Sequence, residues 1–467
     1  DGTELGDLLA WGEVPHRWGW EDQSQFSEPS APQSLTDPHD PLHAIVQTYP
    51  VQSPTWVVVL QDDGAGQTAP PIQPTADYDP SQFQTAWQGY GPDRFLTYGQ
   101  LPQRQFMLNW PQQGNDYGVG LQRLVGNPAK QRAWAKEAIA QSQNFAYFIQ
   151  SALGPRYGLA TTAFPQIPGQ LGGGAFALMP YYRESRRLIG LTTVTECDIL
   201  PLPGERAAAL PVNASGQMSA IAIGNYPNDH HYPGFDLPLA PKADRWGGRW
   251  TGTPFTIAYE ALVPAAIEGL LACDKNISVS HLANGATRLQ PVVLGIGQAA
   301  GMAAALCVEQ GCEPRELAVE ALQSALLNEP TVPAAVVPLV DNLPANPDWR
   351  SRQVYYQNHP EDSFQTTSVG LSFPQFLSRS TEAIPKLYEF EGTLKISATG
   401  RSWQAKLQLS DDRLLDVVTL DPSVHKVISQ FKTSQLIALQ GYPNWAAGWL
   451  QVIAIKAHSL DSEILRR

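Results

Sequence analysis

The chain has 467 residues, enough for two or three domains. Its 31 Lys and Arg against 44 Asp and Glu give a formal net charge of −13 at pH 7 with no basic clusters, which argues against nucleic-acid binding. Four cysteines without a C-x-x-C pair argue against a disulfide framework and zinc, and no H-E-x-x-H, G-x-x-x-x-G-K-[ST] or G-x-S-x-G occurs.

The opening stretch DGTELGDLLAWGEVPHRWGWE reads as the end of a strand or a tight turn running into a short helix. A domain rarely starts in such a place, so a processed chain or a fragment is expected. After Glu21 the chain is rich in Pro, Ser, Gln and Asp to about Pro41. HAIVQTYPV and TWVVVL then read as strands because they are rich in β-branched residues. From Pro128 to Leu153, Trp134, Ala138, Gln141, Phe145, Phe148 and Ile149 recur at helical spacing behind a first-turn proline. That pattern predicts an amphipathic helix with its aromatics in the core. GQLGGGAFA (Gly169 to Ala177) follows Pro165 and Pro168 rather than a strand, and reads as a plain loop.

Further on, Arg183, Glu184, Arg186 and Arg187 precede a strand-like run, and a strand from Ser219 to Gly224 ends in Tyr226, Asp229, His230 and His231. From Leu289 to Val308 no residue is charged. Gly297 and Gly301 lie four apart, with Ala304 and Ala305 a turn on, so one helix face is nearly smooth backbone, suited to close approach of another backbone or a flat ligand. Gln290, Pro291, Gln298 and three glycines favour a buried helix over a membrane span. Strand, turn and buried helix are expected from Ser278 to Gly311, the glycine serving as the stop. Pro333, Pro338, Pro344 and Pro347 predict a stiff linker. In the tail, Tyr388, Phe390, Leu394 and Ile396 alternate, as do Trp403, Ala405, Leu407 and Leu409. With VVTL, SQLIALQG and GWLQVIAIK they predict a small antiparallel barrel or sandwich, where Trp403, Trp445 and Trp449 serve as core or as contacts for a saccharide or partner.

Several ordered motifs carry a resemblance: TELGDLL (Thr3 to Leu9) followed by Gly12, Val14, Arg17, Gly19 and Glu21; NWPQQGNDY (Asn109 to Tyr117); RESRRLIG (Arg183 to Gly190); GNYPNDHH (Gly224 to His231); and NISVSHLANGATRLQPVVLGIGQAAGMAAAL (Asn276 to Leu306). Together they make most of Asp1 to about Leu327 resemble the FAD-dependent oxidoreductase family of the glutathione-reductase-like flavoprotein superfamily. The resemblance implies a mixed α/β (α+β) fold: the C-terminal part of a flavoprotein FAD domain with an inserted substrate domain, followed by the β-rich tail. The expected division is 1–21 as the end of the FAD domain, 22–250 as substrate domain, 251–330 as the C-terminal flavin-binding segment, 331–360 as linker and 361–467 as the β-rich module.

The same resemblance implies FAD as cofactor, with the smooth helix packed under it. Gly297, Gln298 and Ala299 would lie near the flavin, and Gly6 and Asp7 would supply backbone and ribityl or phosphate contacts. The G-x-G-x-x-G turn that holds the ADP half of such a cofactor does not occur. The expectation is therefore a flavin oxidoreductase acting on a small molecule without its N-terminal dinucleotide-binding segment, which a separate chain could supply. The alternative is a non-catalytic remnant or a binding module. A cytoplasmic location is expected, with the periplasm open.

Oxidation by hydride loss calls for a base to take the substrate proton. His231 and Asp229 lead as candidates, His231 because imidazole titrates near neutrality, with His281 beside them. Arg183 and Arg186 suit a substrate anion or a structural ion pair with Glu184 or Asp198. Arg288 suits the flavin or a carboxylate. Asn109 and Tyr226, with Asn115 and Asp116, complete the polar set. No metal is expected.

Overall fold

A computed structural model describes residues 5–88, 91–200, 207–240, 242, 244–246, 249–251, 253–339, 342, 344, 346–360, 387–399, 402–419, 422–431, 434–444 and 449–456. Residues 1–4, Trp445 and the side chains of Trp403 and Trp449 lie outside that description, so the readings placed on them stand as expectations. The fold is mixed α/β with several small sheets. It divides into two compact units, each built from separated stretches: Asp1–Thr195, Asp229–Leu239 and Ala261–Arg288 in the first, Glu196–Asn228, Ala240–Glu260 and Leu289–Arg467 in the second.

In the first unit, strand β1 (Val58–Asp62) is central to a four-stranded antiparallel sheet. It pairs with Gln105–Leu108 on one side and Tyr157–Leu159 on the other. Its Val58, Val59 and Leu60 are buried, which fits a strand covered on both faces. Helix α1 (Pro128–Leu153) starts where the Asn127 side chain accepts a hydrogen bond from the Lys130 amide and ends at Gly154. Its Trp134 and Ala138 belong to a core with Trp20, Val51, Trp56 and Tyr232, while Phe145 and Ile149 join Phe83, Phe95 and Trp110 against the sheet. HAIVQTYPV departs from its strand expectation: His43–Thr48 is helical. Its local β preference yields to packing of Ile45 and Tyr49 into the Trp20 core. The NIS segment is also no strand. A single bridge joins Val279 to Val194, and Ser280 then caps helix α2 (His281–Thr287).

In the second unit, β2 (Ala220–Gly224) pairs antiparallel with β3 (Phe255–Ala258). Helix α3 (Gln290–Gln310) packs on β2, and helix α4 (Val319–Asn328) packs on both. A Cβ at Gly295 would stand 3.2 Å from the Ala222 Cβ, so this glycine carries the close approach. Gly311, at φ +64°, ends α3 as expected. The face of Gly301, by contrast, is exposed, and a Cβ there would meet nothing within 4 Å. The buried side of α3 is Val292, Ile296, Ala299, Ala303 and Cys307, at the usual three- and four-residue spacing. By length and composition alone α3 could cross a membrane. The linker expected after Thr331 is instead packed: Val336 and Val337 are buried, and their amides donate to the Gln353 side chain on helix α5 (Trp349–Asn358).

Strands β4 (Tyr388–Thr399), β5 (Ser402–Leu409), β6 (Leu414–Val418), β7 (Gln435–Asn444) and β8 (Trp449–Lys456) close into a barrel in the order β4-β5-β6-β8-β7. All pairs are antiparallel except β6 with β8. Alternate residues Phe390, Leu394, Ala405, Leu407, Leu415, Val417, Leu450 and Val452 fill its interior.

Candidate active site

The first unit gathers most of the polar residues singled out in the sequence. Strand-like pairing of Thr55 with both Asp116 and Tyr181 brings the Asp116 loop alongside the segment that carries Arg183 and Glu184. The Ser53 amide donates to the His231 carbonyl at 2.9 Å, which fixes the Asp229–Leu239 excursion against them. Helix α2 contributes His281 at its start and Arg288 at its end.

Asp116 is the hub of one network. It accepts from the Thr55 hydroxyl, lies 3.2 Å from Arg183 Nη2 and 2.6 Å from His231 Nδ1. The other His231 nitrogen lies 3.1 Å from Asp229, which also takes Arg288 at 3.0 Å. Arg288 reaches the Tyr181 hydroxyl at 3.0 Å, and Arg183 donates to Asn109 Oδ1 at 2.8 Å. Burial by itself would raise the pKa of Asp116, but the charges of Arg183 and His231 and the bonds from His231 and Thr55 outweigh it and hold the carboxyl below its ordinary value. Asp229 behaves alike. Its burial is opposed by the bond and charge of His231 and by Arg288 and Arg183, which hold it well below the carboxylate range. Both His231 nitrogens therefore lie within hydrogen-bond distance of a carboxylate.

A second network adjoins the first through Arg183–Glu184. His281 is fully buried; its Nδ1 lies 2.8 Å from Glu184, and its backbone N–H donates to Glu21 at 2.8 Å. Arg187, also fully buried, bridges Glu21 at 2.9 Å and Glu184 at 3.3 Å. The Trp20 ring covers His281 at 3.9 Å between centroids. Tyr232 reaches His281 Nε2 at 2.6 Å and His230 Nδ1 at 3.0 Å.

Thus Asp229, His231, Arg183, Arg288 and Asn109 meet, with His281 next to them. Arg186 turns away to Asp7, at 2.5 Å, and to the Leu5 carbonyl. Asn115 is structural: it joins the Trp110 amide to the Leu108 carbonyl. Tyr226, Gly297, Gln298 and Ala299 belong to the second unit, where Ala299 is buried and Gln298 donates to the Val332 carbonyl at 2.7 Å. Sequence reading missed Glu21, Glu184 and Tyr232. The run Asp229-His230-His231-Tyr232 was the available signal, since four hydrogen-bonding side chains in succession after a strand rarely serve packing alone.

The donor sets can be set against a flavin nucleotide. Helix α3 begins without a side-chain cap and with Pro291 in its first turn, so the N–H groups of Gln290 and Val292 suit an anionic or carbonyl edge. Gly6, at φ +65°, is needed for packing: a Cβ would fall 2.4 Å from Asn276 Nδ2. Asp7 is committed to Arg186. The fit thus rests on the start of α3 more than on Gly6 and Asp7.

The family model of FAD dependent oxidoreductases matches residues 1–326. The chain belongs to that family, and its cofactor is FAD. No curated protein and no solved structure matches it.

Proposed function

We propose that the chain is the flavin-facing and substrate half of an oxidoreductase of the glutathione-reductase-like superfamily, acting on a small molecule. The family match over residues 1–326 carries this reading. When bound, FAD would accept the hydride. In the first unit, the Asp116–His231–Asp229 and Glu184–His281–Tyr232 networks would orient the substrate and manage its proton. On this reading the ADP half of FAD is held by a dinucleotide-binding segment supplied in cis or in trans. FAD titration followed by flavin fluorescence tests this. Weak binding by these residues alone, and tight binding once a dinucleotide segment is added, is expected. Tight stoichiometric binding without it would sink the split-site reading.

One observation favours a second reading, a binding module without turnover: His231, the leading base, is locked between two carboxylates. Flavin that binds but is not reduced by any candidate substrate would support that reading.

A further inference from the structure

We propose that Glu184, His281, Tyr232 and His230 form a buried proton relay that holds one proton beyond two neutral rings, shared between the histidines through the Tyr232 hydroxyl. His230 Nε2 lies 3.0 Å from the Leu282 carbonyl, so it carries hydrogen. His281 Nδ1 faces the Glu184 carboxylate, so it does too. Each ring then turns its remaining nitrogen to the same Tyr232 oxygen. A hydroxyl has one hydrogen to give. If Tyr232 donates to His230, the His281 nitrogen must donate to Tyr232; if it donates to His281, the reverse holds. With Glu184 present as the carboxylate, either way one ring carries two N–H groups.

The Glu184 carboxylate at 2.8 Å from Nδ1 makes His281 the better host for that second hydrogen. Glu21, Glu28 and Glu184 gather around this helix start, with Arg187 bridging Glu21 and Glu184, while Arg288 acts on His230 and Tyr232 from the other end of the helix. His230 is less favourable: burial first, then the charge of His281 and that of Arg288, hold its pKa well below the ordinary value, while the Leu282 bond and Asp229 oppose this. Tyr232 stays protonated because burial, aided by Glu184, pushes its own value well up.

The relay has a dry end and a wetter one. Glu184 and His281 are fully buried, whereas His230 is partly exposed. Outward transfer takes two proton shifts: Tyr232 Oη gives its hydrogen to His230 Nδ1 and receives the one on His281 Nε2. Charge passes from His281 to His230, and no heavy-atom bond changes. Tyr232 acts as a positioning residue, since it joins the rings without gaining charge.

The inference stands apart from the flavin reading, because its test needs no cofactor. Nitrogen NMR of the full chain with labelled histidine counts N–H groups on each ring, with His230→Gln and His281→Gln giving the assignments. At neutral pH the wild type should show two N–H groups on one of these rings and one on the other. Tyr232→Phe should remove one N–H from the doubly protonated ring. One N–H on each ring in the wild type would overturn the proposal, as would a Tyr232→Phe spectrum that keeps both on His281. Should Tyr232→Phe fail to fold, the wild-type count alone decides.

Discussion

Asp116 and His231 meet at 2.6 Å, with the carboxylate almost wholly removed from water. Burying a charge is tolerable only when its partners stay in place. Asp116→Asn would leave Arg183 and His231 facing a neutral amide, at a cost of about 3–5 kcal/mol. Denaturant unfolding followed by tryptophan fluorescence should show the midpoint fall by that measure. The same carboxylates fix the direction of acid sensitivity. Asp116 and Asp229 have folded pKa values below the ordinary one, so their contribution is complete above about 4 and is lost as pH falls through the depressed values. The acid limb of a stability–pH curve should flatten in the Asp116→Asn protein.

Gly6 is held at φ +65° with Asn276 and the Arg186 carbonyl against it. Gly6→Ala should cost roughly 1–3 kcal/mol for the backbone alone, with the clash added. A lowered melting temperature checks this, and an unchanged one would show that the turn relaxes.

Gly301 stands in a helix with open space beside it. Gly301→Leu should therefore stabilise by roughly 0.5–1 kcal/mol through helix propensity. The smooth-face reading of the sequence predicts the opposite sign, so a single unfolding curve separates the two.

Lys242 is buried, with its ammonium donating to the Thr253 carbonyl and lying over the Phe255 ring at 4.6 Å. Burial lowers its pKa to about 7. The unfolded chain then binds more protons than the folded one between about 7 and the ordinary 10.5, so stability from this group rises with pH across that window. Lys242→Met should raise stability at neutral pH and remove that slope.

The sequence revealed α1 to the residue, because a proline start, a periodic apolar face and a glycine stop agree there. The glycine stop of α3 was equally plain, but not where the helix starts or which of its faces is buried. Gly297, Gly301 and the alanines are alike in being small, and only the position of β2 chooses between sides. HAIVQTYPV misled because β-branched residues fit a short buried helix turn as well as a strand. In the site, Asp229, His231, Arg183 and Arg288 were visible as a polar cluster after a strand. Their pairing was not, since Asp116 lies 115 residues from His231 in sequence, and nothing local says which carboxylate each cation will meet.

The barrel has a consequence for biogenesis. Among the described residues its one parallel seam joins β6 to β8, and β8 also completes the pairing of β7. A chain leaving the ribosome has made four of the five strands before this seam can form, and until Trp449–Lys456 emerges both β6 and β7 present open edges. Folding of this module is therefore timed by its last strand, and a ribosome pausing shortly before Trp449 would hold it in its most aggregation-prone form.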